Sequence, residues 1–480
     1  MSYQDFVAKK LQLVAPSGMD VNPVDAGLFD YQDALARWAL KRGRAAIFAD
    51  TGLGKTRMEI SWAASVARET GGNVLLLAPL AVAAQTVQEA ASVGISIKLC
   101  RSDDDVDQGL CITNYDRLHL FNPARFSGVV LDESSVIKHH TAKTLQSLMD
   151  AFGPTPYKLC ATATPAPNDW TELGTHAEFL GVCTRSEMLS EYFVHDGAET
   201  QVWRLKGHAR AQFWKFVASW GAMVRNPSDL GFDGSRMVLP ALNIHEHLLE
   251  SDISEAQDAG FLFPVEAGSL MERRAARKSS MSRRVDACAA EVNATDEQFL
   301  VWCELNDEAD ALTDAIPGAV EIRGSDDIDA KEKALLDFAA GRIRVLVTKP
   351  KIAGWGMNFQ SCARMAFVGV NDSYESYYQS VRRCWRFGQK RPVDVHLYVS
   401  EAEGSVLANL KRKETEAQEM ARQLSAETRG AVMDEITGTS RKTNQYQATK
   451  RVAAPAWLQS EATSWPTSRG KPEISTGCPT

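Results

Sequence analysis

Nowhere in this chain of 480 residues is there a run of about 18 apolar residues, so no segment is read as a membrane-spanning helix. The first residues, Met1 to Phe6, carry no basic stretch leading into an apolar one, so secretion is not expected. Nine cysteines are scattered without a single C-x-x-C pair, which leaves neither a zinc pattern nor a disulfide framework. A reducing, cytoplasmic setting is the expectation. Positive charge is also in short supply: 53 Lys and Arg stand against 61 Asp and Glu, a net charge of −8. That balance excludes a uniformly basic coat for nucleic acid, but not a local basic cleft. There is no internal repeat and no low-complexity tract. What remains is a composition of 44% hydrophobic and 24% charged residues, typical of a globular protein, in a chain long enough for two or three domains.

From about Leu28 to Ala163, short apolar runs alternate with helical patterns: Ala45–Ala49, Val74–Ala78, Leu110–Thr113, Val129–Leu131 and Tyr157–Ala161. Alternation of that kind predicts a parallel sheet covered by helices on both faces. A second series runs through Phe299–Cys303, Val345–Thr348, Met365–Gly369 and Val393–Val399. The expectation is an α/β protein with two parallel-sheet domains. Residues 1–27 form a lead-in, 28–180 the first domain, 181–291 a mostly helical protrusion and linker, and 292–440 the second domain. The second domain ends in an amphipathic helix over about 403–435. Residues 441–480, rich in Ser, Thr, Pro and Lys, are expected to be disordered.

The chemistry concentrates at strand ends. Ala49, Asp50, Thr51, Gly52, Leu53, Gly54, Lys55 and Thr56 follow an apolar run and precede a helical pattern. In a strand–turn–helix of this kind, backbone N–H groups point at phosphates. Lys55 adds a charge near the β/γ-phosphates and the Thr56 hydroxyl can hold Mg²⁺. Val129–Leu131 ends in Asp132 and Glu133, at the sheet edge where open α/β folds place ligands. Asp132 suits metal binding and Glu133 suits activation of a water. Leu159–Ala161 leads to Thr162 and Thr164, hydroxyls able to bond the acidic pair. Arg383 and Arg386 are three apart and, on a helix, would share a face from which to neutralise transition-state charge. Of six basic residues between Met271 and Arg284, we single out Arg273, Arg274, Arg277 and Lys278 as phosphate contacts, a solvated surface being the other reading.

Taken together these motifs, in this order, resemble those of the superfamily 2 helicases and translocases, most of all the Swi/Snf-type DNA-dependent ATPases and their compact phage-encoded members. The resemblance spans about Leu28 to Val399. Tyr31 and Gln32 match the family's adenine-reading glutamine motif, and Ala49 to Thr56 its motif I. Leu77 to Pro79 with Gln85 resemble motif Ia, Asp132 and Glu133 motif II, and Thr162 to Pro165 motif III. Gly354, Gly356 and Asn358 align with motif V. Gln379, Arg383, Arg386, Gly388 and Gln389 align with motif VI.

The departures are small. Ala49 stands where the general phosphate-loop pattern has Gly, and this loop is one residue shorter than in typical Swi/Snf members. Ser134 and Ser135 follow the acidic pair in place of Ala-His, Ala163 replaces a frequent Gly, and Trp385 replaces the usual His. None of these removes a group that handles phosphate or metal. The resemblance implies two RecA-like domains with ATP and Mg²⁺ between them. Tyr31, Gln32, Gly356, Asn358 and Gln379 would join the phosphate loop in nucleotide binding. The implied activity is ATP-driven movement on double-stranded DNA, in the host cytoplasm if the gene is phage-borne. RNA or single strands as the track, or a non-hydrolysing nucleic-acid-binding accessory role, are the alternatives.

Overall fold

The computed structural model describes residues 14–196, 199–249, 280–353, 358–400 and 404–436. The strands are β1 (Arg44–Ala49), β2 (Asn73–Ala78), β3 (Ile97–Leu99), β4 (Leu110–Asn114), β5 (Phe126–Asp132) and β6 (Tyr157–Ala161). They continue with β7 (Phe193–Asp196), β8 (Glu199–Leu205), β9 (Gly221–Val224) and β10 (Leu242–Leu249). The last are β11 (Phe299–Cys303), β12 (Ala319–Glu321), β13 (Val345–Thr348), β14 (Arg364–Val368) and β15 (Val393–Ser400).

Two parallel sheets result. The first has seven strands in the order β3-β4-β2-β5-β6-β1-β9, the second six in the order β10-β15-β14-β11-β13-β12. The central strands are apolar nearly throughout because each sheet is buried on both faces. Along β1, Ala46 and Phe48 enter one core while Ala45, Ile47 and Ala49 enter the other. In the second sheet, Leu300 and Trp302 point to one side, Phe299, Val301 and Cys303 to the other. This period of two, in strands with no polar face, is what an internal strand of an α/β sheet requires.

The segment between the two series is less helical than its sequence suggests. It holds helices Arg185–Tyr192 and Arg210–Ala218, but also the antiparallel hairpin β7–β8. It also supplies β9, which pairs with β1 at the edge of the first sheet, and β10, which pairs with β15 at the edge of the second. The basic residues Arg273, Arg274, Arg277 and Lys278 lie outside the described residues, as does the 441–480 tail.

A long helix, Gly404–Ile436, follows β15. Its first turns bury Leu407 and Leu410 with the second sheet, and its later turns bury Met420, Leu424 and Val432 with the first. Midway, Lys413 donates to Asn168 Oδ1 at 3.0 Å and to the Asp372 carbonyl at 2.6 Å, joining the two α/β units. Near its end Thr428 Oγ1 accepts from Met223 N at 3.0 Å, satisfying an N–H on the outer strand β9. Among the described residues no helix is long and apolar enough to cross a membrane.

Candidate active site

The loop after β1 is shaped by its glycines. Gly52 and Gly54 have φ of 86° and 72°, in the left-handed region that a side chain disfavours. A Cβ on Gly54 would lie 2.3 Å from Gln32 Nε2, so the loop closes onto Gln32 only because that Cβ is missing. Gln32 and Tyr31 hold the loop from beneath. Gln32 Nε2 and the Tyr31 hydroxyl each donate to the Leu53 carbonyl at 2.9 Å, while Gln32 Oε1 accepts from Phe29 N at 2.9 Å. Lys55 opens the helix Lys55–Thr70, and its ammonium donates to the Ala49 carbonyl at 3.0 Å.

β5 brings Asp132 and Glu133 to the same sheet edge. Glu133 has φ of 52°, the one non-glycine residue with positive φ among those described. Its Oε2 accepts from Thr162 Oγ1 at 3.2 Å, and Thr162 Oγ1 in turn accepts from Thr164 N at 3.1 Å. The two threonines thus meet the acidic pair through Thr162, with the Thr164 hydroxyl buried and unbonded among the described residues. Behind the pair, Ser134 Oγ lies 3.1 Å from His176 Nε2, and the Tyr115 hydroxyl donates to the Asp132 carbonyl at 2.6 Å.

Burial, then the Glu133 charge, pushes the Asp132 carboxyl up to about 7. Glu59, one helical turn past Lys55, is raised well above the usual carboxylate range by burial first and Asp132 second. Lys55 opposes the shifts of both Asp132 and Glu59.

A cavity of about 210 Å³ joins these groups to the second sheet. Thr51, Gly52, Gly54, Lys55, Thr56, Asp132 and Glu133 line it on one side, and Gln379, Arg382, Arg383 and Arg386 on the other. Gln85 of the expected motif Ia is also on its wall. Three polar atoms of its lining residues, Thr51 Oγ1, Gln379 Nε2 and Arg382 Nε, are buried without a bonding partner among the described residues. The lining offers a lysine, N–H groups of a glycine loop and the guanidinium groups of Arg383 and Arg386, together with the carboxylates of Glu89, Asp132 and Glu133 and the hydroxyls of Thr51, Thr56 and Thr86. It fits a polyphosphate with a divalent cation.

Residues 283–388 match the family model of the helicase conserved C-terminal domain. That match lies within the second α/β unit. Among solved structures, the chain is similar to the "Sulfolobus solfataricus SWI2/SNF2 ATPase core in complex with dsDNA". Identity is 17%, with 88% of this chain and 99% of that one covered, at a TM-score of 0.39. No curated protein matches the chain by sequence. The two parallel sheets, with helices on both faces, have the tandem RecA-like arrangement of helicases.

Within the second α/β unit, the arginines sit differently from the expectation. The helix Tyr374–Val381 ends before them, so Arg383 and Arg386 occupy the turns that follow and do not share a helical face. They reach the cavity nonetheless. Arg383 Nη2 donates to Gln379 Oε1 at 3.0 Å and its Nε to the Gln379 carbonyl at 3.1 Å. Burial and the adjacent Arg386 lower the Arg383 guanidinium to about 10, while Glu133 across the cleft works the other way.

Of the expected motif V residues, Gly356 and Gly354 lie outside the described residues. Asn358 is exposed and is not on the cavity wall, although the next residue, Phe359, donates its N–H to the Arg383 carbonyl at 2.9 Å. Another departure concerns Arg284, grouped by sequence with the basic cluster. It is fully buried, paired with Glu308 at 2.8 Å, and belongs to the core of the second α/β unit.

Arg382 was missed as a site residue. It reaches across to Asp50 of the phosphate loop, a contact between residues 332 positions apart. Nothing local in the sequence marks it apart from two neighbouring arginines.

Proposed function

We propose that this protein is a Swi/Snf-like ATPase of the helicase and translocase group, coupling ATP hydrolysis to movement on nucleic acid, with double-stranded DNA as its track. The observation that carries the reading is the shared cavity: Lys55, Thr56, Asp132 and Glu133 of one sheet face Gln379, Arg383 and Arg386 of the other. Hydrolysis then depends on how the two units approach each other.

In this reading the phosphate loop and Lys55 bind the triphosphate, and Tyr31 and Gln32 fix the loop that meets it. Thr56 and Asp132 would hold Mg²⁺, which when bound supplies positive charge to the phosphate oxygens. Glu133 accepts the proton of the attacking water, held in place by its bond from Thr162. Arg386, with Arg383 beside it, offers a planar cation to the transferring phosphoryl group. Thr162 and Thr164 relay the state of the site to neighbouring elements. Asn358 and Gly356 remain nucleotide-binding candidates on the sequence resemblance alone.

Basic side chains follow the carboxyl ends of both sheets: His139 and His140 after β5, and Lys349 and Lys351 after β13. With Arg273, Arg274, Arg277 and Lys278 they are the candidate contacts for a phosphate backbone, in keeping with an acidic chain whose basic surface is local. Phosphate release measured with no nucleic acid, with duplex DNA, with single strands and with RNA tests the reading. Duplex DNA is expected to stimulate most, and Lys55→Ala to abolish turnover under every condition. A wild-type protein that binds ATP but never hydrolyses it would leave only the accessory role.

A further inference from the structure

The helix Tyr374–Val381 and its C-cap Arg382 hold two sets of side chains. Glu375, Tyr378 and Arg382, spaced by three and four, share one face, since Arg382 N still donates to the Tyr378 carbonyl at 3.0 Å. All three reach the first α/β unit. Glu375 pairs with Lys138, just past the acidic strand end, and Arg382 pairs with Asp50, the residue that follows β1. The Tyr378 hydroxyl donates to the other oxygen of Asp50. The polarity is crossed: the first unit gives the cation to one pair and the anion to the other. Both pairs are largely shielded, with side-chain exposures of 18% and 7% for Lys138 and Glu375, and 6% and 18% for Arg382 and Asp50.

Arg382 is also fixed within its own unit. Its guanidinium lies 4.5 Å from the Trp385 ring centroid and 5.2 Å from that of Tyr378. Trp385 Nε1 donates to the Pro240 carbonyl at 2.8 Å, in the stretch leading into β10. On the other side, Asp50 N donates to the Val224 carbonyl at 2.9 Å, tying the loop to β9. Phe387 completes the contact: a Cβ on Gly52 would lie 3.2 Å from the Phe387 Cβ. The phosphate loop is therefore gripped at its first residues by the segment that carries Arg383 and Arg386.

We infer that the crossed pairs Lys138–Glu375 and Asp50–Arg382 form a clasp between the two units that registers Gln379, Arg383 and Arg386 over the phosphate loop. Arg382 is then a positioning residue acting through Asp50, and not a ligand of the phosphates. The inference rests on the cleft being the nucleotide site proposed above. A guanidinium already shared between a carboxylate and two aromatic rings has its charge met, so it leaves the phosphates to its neighbours. Crossed polarity also penalises misregister, because sliding one unit along the other brings like charges together.

Charge reversal separates the roles. Glu375→Lys is expected to lower the nucleic-acid-stimulated rate at saturating ATP by roughly tenfold with little change in KM, and Lys138→Glu in the same chain to restore it. Arg382→Asp should behave likewise and be rescued by Asp50→Arg. Glu375→Gln, nearly isosteric, gives the same direction with less risk to folding. The second readout needs no activity: the distance between spin labels on non-natural residues at exposed positions 69 and 333, measured without nucleotide. It should lengthen or broaden in each single variant and recover in each reversed pair. Unchanged distances in the single variants would overturn the clasp. Recovery of distance in Asp50→Arg/Arg382→Asp without recovery of rate, together with lost ATP binding, would make Arg382 a phosphate ligand and overturn its assignment. Distances that respond in a wild-type background without hydrolysis would sustain the clasp and sink the ATPase reading instead.

Discussion

Glu133 is held in a conformation that L-residues seldom adopt, at the point where the sheet edge meets the cavity. Its surroundings maintain it: Thr162 bonds its carboxylate, and Ser134, the next residue, is fixed against His176. Glu133→Gln keeps the shape and removes the proposed base. Turnover should fall by roughly 10²–10⁴ while ATP affinity, measured by calorimetry, changes little. His176 makes a separate prediction. It is fully buried, and that burial lowers its pKa to about 4 from the ordinary 6.5. The unfolded chain therefore takes up a proton that the folded chain refuses. The stability of neutral His176 is present in full above pH 6.5 and is lost as pH falls from there towards 4. Denaturant midpoints between pH 7 and 4 should decline, and His176→Gln should flatten that decline. Lys55, Asp132 and Glu133 were legible in the sequence because each lies in a short contiguous motif. His176, Tyr115 and Arg382 were not, because their significance arises only when distant strands and turns meet.

At the scale of elements, the strands with unbroken apolar runs were readable: β1, β2, β5, β6, β11 and β13 are buried on both faces and their sequences say so. β10 was missed because it is an edge strand whose residues alternate with polar ones, Asn243, His245, Glu246 and His247 among them, and much of it is exposed. β9 has only four residues, Gly221 to Val224, too few for a period to emerge. The helix before Arg383 ends at Val381, so the shared helical face expected of Arg383 and Arg386 dissolves into turns that still reach the cavity. Charge misled in one place. Arg284 reads as part of a basic surface, yet its guanidinium joins Glu308 in the core, where Glu308 also accepts from the N–H groups of Glu304 and Leu305 at the start of helix Asn306–Ala315. Removing one partner of such a pair leaves a buried charge. Glu308→Ala should cost about 3–5 kcal/mol in urea unfolding, and replacing Arg284 and Glu308 together by apolar residues of similar volume should cost much less.

For the whole molecule, the essential fact is that one cavity draws its walls from both sheets, and that the helix Gly404–Ile436 packs into the cores of both. The tandem arrangement was legible from two separate series of apolar strands. The cleft contacts were not, since they depend on how side chains of one unit meet the other. Arg386 is the residue through which cleft closure should become chemistry: it belongs to the second unit and lines the cavity that holds Lys55. Phosphate release at saturating ATP, with and without duplex DNA, compared between wild type and Arg386→Ala, is the most direct test. Stimulation by DNA in the wild type is predicted, with most of the stimulated rate lost in the variant although ATP and DNA still bind. Arginine fingers contribute roughly 10³–10⁵ in turnover, and Arg386→Lys should not restore it because a point charge lacks the planar fork. A variant that keeps the full stimulated rate would contradict catalysis across the cleft.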